Sequence, residues 1–147
     1  MKNKRFSVKT LPIAAALLGA LSAGPALADI ANSPQNLRTL GGSTSMAQDV
    51  SNDGTVVGRA DLTGDAAYHA FIWTEAGGVV DLGTFGGTNS TASGISSDGL
   101  AVVGNAQLAG DAARHAFRWT EATGMVDLGT LGGTDSNAMA FSSNGLV

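Results

Sequence analysis

The chain has 147 residues, with eight lysines and arginines against 12 acids, 21 glycines and no cysteine. Lys2, Lys4, Arg5 and Lys9 hold half of the positive charge, so from Asp29 onward four arginines face all 12 acids, a net charge of −8 without a single lysine. So acidic a stretch has no electrostatic footprint for DNA, RNA or anionic lipid, and it must hold its fold by packing, without disulfide staples.

Residues 1–28 carry the pattern of a secretory signal peptide. A basic n-region is followed by an apolar run from Leu11 to Leu21 and by Ala26-Leu27-Ala28, a small-x-small site that predicts cleavage between Ala28 and Asp29. The apolar run is too short for a membrane-spanning helix, and Gly24-Pro25 breaks the segment just beyond it. The expected destination is the periplasm, the cell surface or the medium, with no membrane span after cleavage. Residues 29–35 read as a linker.

From residue 36 the chain reads as short strands punctuated by turns. Met46–Val50 is expected as a strand, Ser51-Asn52-Asp53-Gly54 as a hairpin turn, and Thr55–Gly58 as the next strand; Asp-Gly tolerates the positive φ such turns need. A looser connection over Leu62–Ala67 leads to a strand over His69–Thr74, and a Gly-containing turn to a last strand over Val79–Thr84. Gly86-Gly87-Thr88 reads as another turn. The series then begins again. Gly64–Gly99 and Gly110–Gly145 are 46 positions apart and share 25 identities over 36 aligned residues.

Phe71 and Trp73 recur as Phe117 and Trp119, whereas Ile72 becomes Arg118. Side chains alternate along a strand, so the Phe–Trp face is expected to point inward and the Ile/Arg face outward. Four short strands per unit of about 45 residues predict an all-β fold of four-stranded antiparallel units, arranged as propeller-like blades; an open β-repeat stack is the alternative. The units divide as a partial one over 36–57 and full ones over about 58–103 and 104–147, the last ending inside a strand. A propeller needs at least about four blades. The ring is therefore expected to be incomplete without further repeats, and the chain to be a fragment.

His-Ala-Phe-x-Trp-Thr-Glu at 69–75 and 115–121, each followed by Asp-Leu-Gly-Thr-x-Gly-Gly-Thr at 81–88 and 127–134, closely resembles the HAF family of bacterial extracellular repeats. The resemblance covers about Leu37 to Val147. It implies an exported bacterial repeat protein, with relatives among larger exported proteins such as autotransporter-type passengers, and it carries no assigned biochemical activity.

Chemistry-bearing residues recur once per unit, which favours structural roles. His69 and His115 stand beside the Phe–Trp motif with no second histidine nearby, so their rings are expected to bond a neighbouring backbone or turn rather than a metal. Asp81 and Asp127, with Asp65 and Asp111, resemble the paired carboxylates of glycoside hydrolysis, but their recurrence suggests turn capping. Asp49-x-Ser51-x-Asp53-Gly54 looks like the start of a calcium loop, yet Gly94 and Ala140 replace Asp49 in the other copies. Gly83, Gly86 and Gly87, copied as Gly129, Gly132 and Gly133, lack the lysine or following helix of a phosphate cradle. No cofactor, metal or catalytic residue is expected. The leading expectation is a non-catalytic binding or scaffold module with a protein or glycan partner at the cell periphery. A glycan-acting hydrolase or lyase on a propeller scaffold and a truncated autotransporter-type passenger fragment are the alternatives.

Overall fold

The structure, a computed structural model, describes residues 36–142. The expected leader, its Ala28–Asp29 junction and the 29–35 linker lie outside the described residues, as do the last five. Among the described residues all regular structure is β, and no helix is long and apolar enough to cross a membrane.

Eight strands form two four-stranded antiparallel sheets that are not closed into a barrel. β1 (Gly41–Val50), β2 (Val56–Leu62), β3 (Tyr68–Thr74) and β4 (Gly78–Gly83) make the first sheet in chain order. β5 (Gly86–Ile95), β6 (Ala101–Leu108), β7 (Arg114–Thr120) and β8 (Gly124–Asp127) make the second in the same way. The boundary between the sheets, at Thr84-Phe85, falls inside the 58–103 stretch.

Among the described residues the hairpin turns form where the sequence places them. At Ser51–Thr55 the Gly54 N–H donates to the Ser51 carbonyl at 3.1 Å, and of the turn residues Gly54 alone takes a positive φ, +86°. This is a three-residue hairpin closed by a left-handed glycine. The Gly-Gly-Thr segment differs from expectation. Gly86 and Gly87 open β5, and Gly41 and Gly42 open β1 in the same way, whereas Gly132 and Gly133 lie in a bend.

Cross-strand register sorts the side chains. Val57 pairs with Ile72 and Arg59 with Ala70, so these four share one face; Val56, Gly58, Phe71 and Trp73 share the other. In the second sheet Val102 pairs with Trp119 and Gly104 with Phe117. The core joins Val57, Ala70, Ile72 and Leu82 of the first sheet to Ala92, Ile95, Val102, Ala106 and Phe117 of the second, with Phe85, Trp119 and Met125 packed against them. The Phe–Trp face of one sheet thus meets the Ile face of the other, a front-to-back contact. Burying Phe117 and Val102 completely contributes about 1.5–3 kcal/mol each.

That geometry overturns the expectation of one inward and one solvated face. Ile72 is only 9% exposed because the second sheet covers it, while Arg118, at the corresponding position of that second sheet, is exposed. Trp73 is half-buried rather than a deep anchor, although its neighbour Phe71 is fully buried.

Candidate functional site

Each histidine of the motif is held by a carboxylate one strand away. His69 Nδ1 lies 2.8 Å from Asp81 Oδ2 and 2.9 Å from Oδ1; His115 Nδ1 lies 2.8 and 3.0 Å from the Asp127 oxygens. Register explains the pairing: Phe71 stands opposite Asp81, so His69, two residues back, is on the same face and diagonal to it. The same carboxylates accept the N–H of Gly83 and Gly129 at 2.7 Å, and both glycines take positive φ, +79° and +69°. This accounts for the recurring Asp-x-Gly.

In the second sheet burial pushes the Asp127 carboxyl up, but the Gly129 N–H and the hydrogen-bonded His115 ring outweigh it and hold it below its ordinary value. The imidazoles are held in one orientation, as a carboxylate bonded to the far ring nitrogen holds them in metal and catalytic sites. Among the described residues, however, no group of three or more His, Asp or Glu side chains is placed to hold a metal ion.

Most of the other aspartates serve the backbone. Asp65 Oδ1 accepts the Ser43 N–H at 2.7 Å and Asp111 Oδ1 the Thr88 N–H at 2.6 Å, each tying the loop after the second strand of its sheet to the start of the first. Asp53 and Asp98 accept from the hydroxyls of Ser51 and Ser96 and from the N–H of Thr55 and Leu100 inside their hairpins. Those bonds, the hydroxyls first, hold both carboxyls below the ordinary 3.8. Asp49, placed by sequence in a calcium-like loop, instead accepts the N–H of Val50 at 2.8 Å and, across the sheets, that of Ile95 at 2.9 Å.

Two related cavities stand at corresponding places on the two sheets. One, of about 230 Å³, lies between the sheets, with Thr55, Ile72 and Thr74 on one wall and Leu100, Trp119 and Glu121 on the other. The second, of about 510 Å³, opens on the second sheet beside Ala101, Arg118 and Thr120, the residues corresponding to Thr55, Ile72 and Thr74. This is the face that receives Trp119 on the first sheet. It carries Arg118, Asp98 and Glu121 as convergent polar groups.

The inner part of that face is occupied. Residues 131–141 repeat the sequence of Phe85–Ile95, and Asp135 and Ser136 accept the N–H of Arg114 and Ala116 at 3.0 and 2.8 Å. Asn89 and Ser90 accept those of Tyr68 and Ala70 at the same distances. Sequence reasoning passed over these serines; their signal was the serine recurring three residues after each Gly-Gly pair's second glycine. Compared with known proteins, the chain matches no protein-family model, no curated protein and no solved structure.

Proposed function

We propose that the chain is an exported, non-catalytic repeat protein of the HAF type, whose sheets are blades of a propeller-like module that binds a protein or glycan partner at the bacterial cell periphery. The front-to-back contact carries the reading. A face that seats Trp119 on the first sheet recurs on the second as the open recess at Arg118, so a further unit of the same kind fits there and further repeats complete the ring. The signal-peptide pattern of residues 1–28 supports export. The two His–carboxylate pairs support a structural role, because each is built in the same way within its own sheet.

Small-angle scattering on chains extended by successive 46-residue units tests the architecture. A propeller reaches a compact ring whose radius of gyration stops growing at a fixed unit number. Steady growth with every added unit would sink the propeller and favour the open stack, a reading that the unclosed pair of sheets also supports. N-terminal sequencing of exported protein tests the address and should read Asp29-Ile30-Ala31.

A further inference from the structure

A small polar cavity of about 20 Å³ lies where β3, β5, β6 and β7 come together, lined by Tyr68, Asn89, Ser90, Asn105, Gln107 and Arg114. Gln107 Oε1 is the buried side-chain polar atom, among the described residues, that no hydrogen bond reaches. A buried acceptor without a donor is destabilising, and native structures leave few of them. The cavity and the orphan acceptor therefore point to the same occupant.

We infer that this cavity holds one ordered water, which donates to Gln107 Oε1 and accepts from an amide N–H of the asparagines around it. Size selects the ligand: a water needs roughly 10–15 Å³ of such space, and nothing organic fits. Polarity agrees, since dry cavities are apolar and this one has six polar residues in its wall. The other lining groups are partly committed. Ser90 Oγ accepts from the Ala70 N–H and donates to the Gly83 carbonyl, and Asn89 Oδ1 accepts the Tyr68 N–H. The Asn89 and Asn105 amide N–H groups supply the donors that the water needs. The lining includes Arg114 and no carboxylate, which disfavours a small cation. Arg59 lies over the Tyr68 ring, 4.7 Å from its centroid, and steadies the sheet-one wall.

Among the described residues the site is formed once. Arg59 and Asp61 stand in the first sheet where Asn105 and Gln107 stand in the second, and Arg114 stands where the first has Tyr68. The water therefore bridges this particular junction of sheets rather than serving every unit.

Deuterium and oxygen-17 relaxation dispersion on the full chain, beside a high-resolution crystal structure, tests the assignment. The expected result is one long-lived interior water, seen as a density peak roughly 2.7–3.2 Å from Gln107 Oε1, and loss of one long-lived water in Gln107→Leu. A direct bond from the Asn105 amide or the Arg114 guanidinium to Gln107, with the cavity closed, overturns it. So does an unchanged dispersion amplitude in the folded variant. Should Gln107→Leu fail to fold, density in the unaltered chain decides alone.

Discussion

Ser90, on the first strand of the second sheet, accepts the Ala70 N–H of the first sheet at 2.8 Å and donates to the Gly83 carbonyl at 2.5 Å. One hydroxyl thereby satisfies two backbone groups of the sheet that its own strand packs against. Ser90 is 1% exposed, so replacing it with Ala leaves a donor and an acceptor buried, and we expect a loss of about 1–3 kcal/mol in denaturant unfolding. Ser136 makes the same pair of bonds to Ala116 and Gly129 but is half-buried. Ser136→Ala should cost less, because water can reach what it abandons; equal losses would contradict this.

Gly58 and Gly104 are glycines for want of room, not for their φ. A Cβ at Gly58 would run into the Met46 carbonyl, and one at Gly104 into the Thr91 carbonyl, where the neighbouring strand shifts register. Backbone cannot step aside as a side chain can. Ala at either position should cost about 1–3 kcal/mol, whereas Gly133→Ala, with nothing within 4 Å of its Cβ, should stay within about 0.5 kcal/mol. Thermal or denaturant melts compare the three directly.

Ile72 and Arg118 occupy one position of the repeat in two environments. Ile72→Ala should cost about 2–5 kcal/mol, since it empties the contact with the second sheet. Arg118→Ile should change stability by no more than about 0.5 kcal/mol, because that side chain is exposed. Equal sensitivity at the two positions would contradict the front-to-back packing.

This pair also shows how far the sequence was legible. Strand alternation, hairpin turns and the 46-residue period are local signals, and they located β2–β4 and β6–β8 within a few residues, but only the second half of β5. β1 escaped in part, because Gly41-Gly42-Ser43 carries turn chemistry, and its entry into the strand is decided by Asp65 reaching across to the Ser43 N–H. The two faces were misjudged for a related reason. Exchange of Ile for Arg between copies reads as solvent exposure if both copies have the same neighbours, and they do not. The His–Asp pairs were legible as a recurring set but not as partners, since the contact depends on register between strands.

Acid should loosen the hairpins first. Asp53, Asp98, Asp111 and Asp127 all titrate below the ordinary 3.8 in the folded chain. A carboxyl whose folded value is depressed contributes stability above its unfolded value and loses it as pH falls through the folded one. Melting temperature should therefore be flat with respect to these groups above about pH 5 and decline below about pH 4. NMR titration should show Asp53 moving back toward 3.8 in Ser51→Ala, whose hydroxyl is the largest cause of its shift. An unmoved Asp53 would remove that cause.

The asymmetry of the sheet contact bears on how such a chain can lengthen. A contact between like faces would join sheets in pairs and leave a third with nothing to grip. Here each sheet offers one kind of face and accepts the other, with Phe117 and Trp119 on one side and Ala116 and Arg118 on the other. Copying one 46-residue stretch of the gene in tandem therefore inserts a sheet whose two neighbours are already suited to it. Change then concentrates where neighbours differ: the Ile72 position is apolar where the second sheet covers it, and its copy in the second sheet, exposed among the described residues, carries arginine.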